Sequence, residues 1–473
     1  MSTIDGAVEG ARVWRELPSL IWAAVRGRGG DPTAGPVARA VVLLAVPMVL
    51  EMVMESVFAV VDIAFVSRLG AAATAAVGLT ESLMTLIYTV AWGLSIGVTA
   101  MVARRTGEGD AEGAAAAAVQ AVVLGVVTSA LLGVAGGLNA PTLLRLMGGD
   151  ANVVRVGGGF ATIMLAGNGA ILLLFLLNAA FRGAGDAAVA MRVLWLANGI
   201  NLVLDPCLIF GLGPFPRLGV TGAAVATTTG RGIAVVAQLV TLLVSDGRLR
   251  VRRRHLRVRP GVMLTMLRLS GTGAVQVFIG ETSWIFLMRL LAVFGSAALA
   301  GFTIAIRLVV FALLPAAGLA NAAATMVGQA LGARDPDRAE RSVWIAGFLN
   351  LLYLSAAGAV FALATPAIVH LFGGDGATRE FAVRALRTLA LGFPFYAYGM
   401  VVGSAFNGAG DTWTPTLINL GCFWVWELPM AWLLAHGGSG AQGINLAATS
   451  AFCAVALMGV AVFRLGRWKR IRV

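Results

Sequence analysis

The sequence has 473 residues, of which 59% are hydrophobic and only 12% are charged. A soluble domain carries roughly 25% charged residues, so this composition excludes a water-soluble globular protein. The formal net charge is +12, but the arginines stand in short segments between long apolar runs. That placement indicates membrane topology rather than a nucleic-acid partner.

Apolar runs long enough to cross a bilayer, which takes about 20 residues, recur twelve times along the chain. The first is too long for a signal-peptide core, so we expect it to remain as a helix. The predicted spans are residues 40–66, 76–102, 115–138, 158–181, 191–212, 219–245, 264–293, 299–326, 342–367, 385–406, 415–436 and 442–464. They divide the chain into an N-terminal segment (1–38), an N-lobe (39–246), an inter-lobe loop (247–262), a C-lobe (263–465) and a tail (466–473).

The arginines predict the orientation of these spans. With twelve spans, Arg104, Arg105, the cluster in residues 248–259 and the basic residues of both termini all fall on one side. Short basic loops stay in the cytoplasm. We therefore expect a multi-pass protein of the plasma (inner) membrane with both termini cytoplasmic. Binding of anionic lipid or nucleic acid by the dense cluster is the less favoured interpretation.

An internal repeat organises the sequence. Residues 181–186 (FRGAGD) recur as 406–411 (FNGAGD), 225 residues later, and residues 148–150 recur at the same offset as 373–375. The shared offset predicts two tandem six-helix bundles in an all-α membrane protein. Because each unit has an even number of spans, the two copies should be parallel, related by an axis along the membrane normal. Transporters of this design alternate access by rocking two lobes around a midplane site. A scaffold or a membrane enzyme is the weaker alternative.

Span one carries three acidic residues, Glu51, Glu55 and Asp62. At about 100° per residue, their spacings place all three on one helical face. A charge at membrane depth costs about 2.5–3.5 kcal/mol, so this acidic stripe must line a cavity or meet partners on another helix. We expect Glu51 and Glu55 to line a substrate cavity.

Span five supplies partners for the stripe. Asn198, Asn201 and Asp205 follow helical spacing, and Pro206, directly after the carboxylate, is expected to weaken the helix. With Asn178 of span four and Thr227 of span six, these groups form an oxygen-rich cluster suited to a proton or a hard cation. The predicted ion-coupling residues are Asp62, Asp205, Asn178, Asn201 and Thr227, with Na⁺ held at the first four. For Asn198 or Thr227 alone, bridging between helices is an equal alternative.

The second lobe lacks this cluster, since the positions equivalent to Asp62, Asn178 and Asp205 are Leu287, Gly403 and Met430. Because the second copy folds without these polar residues, the fold does not require them, and we expect them to bind the coupling ion. Glu281 in span seven is either a substrate-facing acid or a counter-charge for a nearby arginine. Aromatic residues predicted to face the substrate are Tyr88, Trp92 and Trp284, which would favour organic cations.

No catalytic constellation stands out. The sequence has no Cys/His metal spacing and no phosphate-binding loop of the GxxxxGK[ST] type, so we expect no enzyme, no ATP as the direct energy source and no cofactor beyond the coupling ion.

The motifs resemble those of the multidrug and toxic compound extrusion (MATE) family from about residue 40 to 465. The segments that carry the resemblance are Pro47 with 61–66 and 69–70, 181–186, 201–206, 222–227 and 327–333. The resemblance implies two six-helix lobes, a central cavity, and export of cationic or amphiphilic compounds in exchange for protons or sodium.

Carried over by position, the resemblance places the N-lobe ion site at Asp62, Asn178, Asn201, Asp205 and Thr227. Glu281 falls near the span-seven acid of the sodium-coupled branch, but residues 395–398 lack the acid that this branch has in span ten. A monomer is expected. A flippase for lipid-linked sugars shares the architecture, but it would want a cationic cavity, which the acidic stripe disfavours.

Overall fold

The computed structural model describes residues 16–27, 30, 32–244, 247–371 and 376–471, and the side chains of residues 59–64, 67 and 371 lie outside that description. Within these residues the regular secondary structure is entirely helical. The first half contains α1 (Leu17–Val25), α2 (Val37–Val66), α3 (Ala71–Gly107), α4 (Ala111–Leu146), α5 (Ala151–Ala166), α6 (Asn168–Gly183), α7 (Ala187–Phe210) and α8 (Val220–Val244). A short 3₁₀ turn, Ser67–Leu69, follows α2.

The second half repeats this order. Its helices are α9 (Pro260–Ala292), α10 (Ser296–Gly332), α11 (Pro336–Leu371), α12 (Gly376–Leu391), α13 (Phe393–Ala409), α14 (Trp413–Asn419), α15 (Leu428–Leu434) and α16 (Gly440–Arg464). Two π-helical segments, Leu420–Glu427 and Ala435–Ser439, join the helices from α14 to α16.

Twelve membrane spans follow from these helices in the described part of the chain. α5 and α6 form one span that is broken at Gly167, and α12 and α13 form another that bends by 57°. The 52 residues from Trp413 to Arg464 would be far longer than a bilayer if they were straight. The backbone leaves helical geometry at Gly437 and Gly438, and Gly443 then packs back against Leu434, so this stretch is two antiparallel spans. The predicted twelve-span fold is confirmed.

The local backbone repeats at the 225-residue offset seen in the sequence. Gly70 and Gly295 have φ of 95° and 98°, and Gly185 and Gly410 have φ of 85° and 87°. These positive values explain the conserved spacing of glycine between the two copies, since side chains rarely adopt them. Asp110 and Asp335 both accept a backbone N–H at the start of a helix, at 2.8 and 2.9 Å. The broken spans interrupt at Gly167 and Gly392, again 225 residues apart.

The two lobes meet along α2, α3, α9 and α10, with α2 against α10 and α3 against both α9 and α10. Small residues bring the backbones together. A Cβ added at Gly93 would lie 2.6 Å from Ala274, and one at Gly318 would lie 2.7 Å from the carbonyl oxygen of Met48. Such close approach is how membrane helices associate without a hydrophobic driving force.

The lobes close tightly at what we call the basic side, the face that bears Arg104, Arg105 and the described arginines of residues 248–259. There an added Cβ at Gly107 would lie 1.9 Å from the carbonyl oxygen of Gln329, and one at Gly332 would lie 2.3 Å from that of Arg104. The Arg104 side chain also donates to the carbonyl of Ile471 at 2.7 Å. Passage between the lobes is blocked at this end.

A short helix that was not predicted, α1, lies within the N-terminal segment. Its nine residues bury Leu20 and Ala24 against the protein and leave Trp22 58% exposed. The chain between α1 and α2 is held by Arg338, which donates to the carbonyls of Pro32, Ala34 and Gly35 at 2.7–3.1 Å. The N-terminal segment is therefore partly docked on the basic side.

Candidate functional site

The N-lobe contains a buried polar network built from four spans. The span-one acids of α2 face residues from α6, α7 and α8, and the hydrogen bonds among them lie within the lobe. Three groups of hydrogen-bonded side chains make up the network, each described below.

The first group centres on a buried ion pair between Glu51 and Arg182. Arg182 donates to Glu51 Oε1 at 2.8 Å, and both side chains are nearly inaccessible, at 1% and 6% exposed. Asn178, one turn before Arg182, donates to the same oxygen at 3.0 Å and accepts from Gln238 of α8 at 2.5 Å. In this low-dielectric site the guanidinium neutralises the carboxylate.

The second group pairs Glu55 with Arg231 of α8, at 3.3 Å. Arg231 is 5% exposed and also donates to the hydroxyl of Tyr88 at 3.1 Å. Asn198 donates to the other carboxylate oxygen of Glu55 at 3.4 Å. Two of the three acids in the predicted stripe are thus matched by arginines.

The third group contains Asp205, Asn201 and Thr227, all buried. A carboxylate can only accept, so the Asn201 amide is oriented with its nitrogen toward Asp205 Oδ2, at 2.6 Å. Its oxygen then accepts from the hydroxyl and the backbone N–H of Thr227, both at 2.9 Å. A protonated Asp205 could still accept from the Asn201 amide through its carbonyl oxygen, so this chain is compatible with either form of the carboxyl.

The side chain of Asp62 lies outside the described part, although its backbone belongs to α2. Its pairing with Asp205 stays a prediction. Asn178 was predicted beside Asp205, but its hydrogen bonds run to Glu51 and Gln238. α7 continues through Pro206 to Phe210.

A central cavity lies between the lobes, just beyond the closed basic side. It is partly open, and its volume with its mouth is about 960 Å³. Its wall is amide-rich, with Gln276, Asn321, Asn407 and Asn419 among the lining residues. Of the described residues that line it, Arg182 alone is charged, and Glu51 neutralises that charge from behind. The cavity wall combines polar and apolar surface and is close to neutral.

The residues predicted to line the cavity lie in different places in the structure. Trp92 lines the cavity and packs against Phe175, with ring centroids 5.6 Å apart. Tyr88 packs against the same ring at 6.0 Å, and Trp284 packs against Phe302 and Phe452 within the C-lobe. Glu281 is exposed on α9.

The acidic stripe was expected to line a cavity or to meet partners on another helix, and Glu51 and Glu55 are not among the described residues that line this cavity. Glu51 is fully buried behind the cavity wall, and both Glu51 and Glu55 are held in ion pairs. The sequence reasoning missed Arg182, Arg231 and Gln238. The signal that would have found the two arginines is their position, Arg182 directly after predicted span four and Arg231 inside predicted span six, since an intramembrane cation needs an acidic partner.

Comparisons with known proteins agree with this arrangement. A family model, MatE, matches the chain twice, at residues 47–207 and 269–433. The chain belongs to the MATE family. The duplicate match also falls once in each lobe, as two copies of one unit would require.

Curated relatives of this MATE protein are transporters. It is 32% identical over 338 residues to the multidrug resistance protein NorM of Burkholderia vietnamiensis, covering 69% of this chain and 71% of that one. It is 26% identical over 316 residues to the probable multidrug resistance protein YoeA of Bacillus subtilis, covering 65% and 67%. It is also 27% identical over 449 residues to a FAD transporter of Shewanella oneidensis, covering 92% and 95%.

Solved structures show the same fold. A MATE in complex with MaL6 has a TM-score of 0.86 and 26% identity, over 95% of this chain and 99% of that one. An outward-facing MATE family transporter of the MOP superfamily gives the same values. A MOP superfamily transporter from Pyrococcus furiosus, whose binding pocket is described as having reverse polarity, has a TM-score of 0.84 and 26% identity. The chain is a multi-pass membrane protein of a family of multidrug efflux transporters.

Proposed function

We propose that this MATE protein is a secondary active exporter of amphiphilic small molecules, cationic ones included. It moves them outward in exchange for protons or sodium ions by alternating access. The basic side is the cytoplasmic side, so the arrangement closed there is the outward-facing one. The protein works as a monomer in the lipid of the plasma (inner) membrane, with both termini cytoplasmic and no cofactor beyond the coupling ion.

The observation that carries the proposal is the buried carboxyl of Asp205 in its chain with Asn201 and Thr227. An ionisable group at membrane depth is costly, so its presence indicates a role, and the positions 225 residues later in the second lobe hold none of these groups. The structural positions equivalent to Asp205 and Asn201 hold Met430 and Trp426. The fold thus stands without the network, which supports a role in binding the coupling ion.

The polarity of the cavity bears on the substrate. Organic cations gain cation–π attraction from Trp92 but meet no open carboxylate among the described lining residues. Amide side chains offer hydrogen bonds to neutral and charged molecules alike, so a broad range of amphiphiles is accommodated. A flippase for lipid pyrophosphates would want free cationic groups, and the guanidinium of Arg182 is already matched by Glu51.

The test is transport by purified protein in vesicles. A fluorescent lipophilic cation should accumulate when either a pH gradient or a sodium gradient is imposed, and collapse of that gradient should stop it. FAD is the anionic comparison, because a relative is named for its transport. Transport that needs neither gradient, or movement of lipid-linked sugar alone, would contradict the proposal.

A further inference from the structure

A second buried carboxyl lies in the C-lobe, at Glu427. Its side chain is 1% exposed, and neither carboxyl oxygen has a hydrogen-bond partner in the described part of the protein. The hydroxyl of Ser283 lies beside it but donates to the carbonyl of Gly280 at 2.8 Å. The N-lobe network does not involve this group.

Among the described residues, no cation is paired with Glu427. Of the elements packed against its segment, α9 brings Glu281, and α14, α15 and α16 bring no ionisable side chain that interacts with it. Tyr396 of α13 and Cys422 of its own segment are the remaining titratable neighbours. An unpaired buried charge costs several kcal/mol, so the neutral, protonated carboxyl is the form that suits this site.

The position of Glu427 mirrors that of Asp205. Both lie on the fifth span of their lobe, and the 225-residue offset places Asp205 opposite Met430, one helical turn after Glu427. A proline follows each carboxyl closely, Pro206 directly and Pro429 two residues later. Each lobe thus buries an acid on its fifth span, close to a proline.

The helix around Glu427 departs from α geometry. Glu427 ends the π-helical segment Leu420–Glu427, and Pro429 cannot donate the next backbone hydrogen bond. Single π-helical turns are frequent at functional sites. The weakened backbone leaves the Glu427 side chain less constrained than a regular helix would, and its neighbour Tyr396 lines the cavity.

We propose that Glu427 is a second proton-carrying group, which holds a proton in the C-lobe and exchanges it with water of the cavity during the transport cycle. The inference deepens the proposed antiport function and rests on it. It assigns proton coupling to both lobes, with a hydrogen-bonded acid in the first and an unpartnered acid in the second.

Two variants test it, Glu427→Gln, which imitates the protonated form, and Glu380→Gln, which removes an exposed acid as the control. In proton-driven vesicle transport, the unaltered protein and the control should change rate by up to about tenfold per pH unit on the titrating limb, as one essential group gives. Glu427→Gln should lose the part of this dependence that Glu427 supplies, so its slope should fall by at least about twofold, while the part supplied by Asp205 remains. An unchanged pH profile in Glu427→Gln would overturn the inference.

Infrared spectra of the purified protein separate this inference from the proposed function, because they need no transport. We expect a protonated-carboxyl band that titrates with pH in the unaltered protein and is missing in Glu427→Gln. A band that is insensitive to pH would show a permanently neutral structural acid and would also overturn the inference. Absence of gradient-driven transport in the unaltered protein, with the titrating band present, would count against the antiport function instead.

Discussion

Replacement of Arg182 tests the buried ion pair between Glu51 and Arg182, which neutralises one acid of the predicted stripe. In Arg182→Met, the Glu51 carboxylate keeps the hydrogen bond from Asn178 but loses its counter-charge. Because Glu51 and Arg182 are only 1% and 6% exposed, water screens little of this loss. Breaking a buried pair from one side costs about 3–5 kcal/mol. That is a large fraction of a total stability of about 5–15 kcal/mol.

The double variant Glu51→Gln/Arg182→Met should recover most of the loss. Its neutral side chain at position 51 still accepts from Asn178, and no charge stays buried without a partner. The expected coupling between the two sites is about 3 kcal/mol. The control is Arg384→Met, which breaks an exposed pair with Glu380 at 3.4 Å and should cause no measurable change.

The assay is unfolding of the purified protein in mild detergent, followed by tryptophan fluorescence as denaturing detergent is added. Free energies of unfolding are compared for the two single variants, the double variant and the control. A cost for Arg182→Met no larger than that of Arg384→Met would refute the reasoning, as would a double variant whose loss equals the sum of the single losses.

Three further predictions follow from the structure. Gly332→Ala should force the basic side apart, because the new Cβ would lie 2.3 Å from the carbonyl oxygen of Arg104, and spin-label distances across the lobes should lengthen there. Gly280→Ala, where an added Cβ meets nothing within 4 Å, should leave those distances unchanged. Arg338→Ala should release residues 32–35 and speed their cleavage by protease, and cleavage at the unaltered rate would contradict this role of Arg338. Asn201→Leu should abolish coupled transport while substrate still binds, and coupled transport at the unaltered rate would contradict the role given to Asn201.

Much of the fold was predictable because it follows from local composition and repetition. Hydropathy gave twelve spans, and a single offset gave two lobes. The breaks at Gly167 and Gly392 were not predictable in this way, since one glycine inside an apolar run scarcely alters its mean hydropathy. α1 was missed because nine residues are too few to cross a bilayer.

The sequence predicted which residues form the candidate site better than it predicted how their charges are paired. Helical spacing placed Asn201 and Asp205 on one face, and the structure joins them at 2.6 Å. The same spacing could not reveal that Glu51 meets Arg182, because residues 131 positions apart pair only after the spans have packed. The net charge of a membrane cavity therefore depends on which helices become neighbours.

The assignment of the coupling site to Asp205 is tested most directly by one measurement. Proton- and sodium-driven dye transport in vesicles is compared between the unaltered protein and Asp205→Asn. The substitution keeps the shape of the side chain and its hydrogen-bonding capacity, but it removes the group that can hold a proton or bind a cation by charge. We predict gradient-driven accumulation by the unaltered protein and loss of that accumulation in Asp205→Asn, with the same amount of folded protein in the membrane. Accumulation at the unaltered rate in Asp205→Asn, under both gradients, would contradict the assignment of the coupling site to the N-lobe.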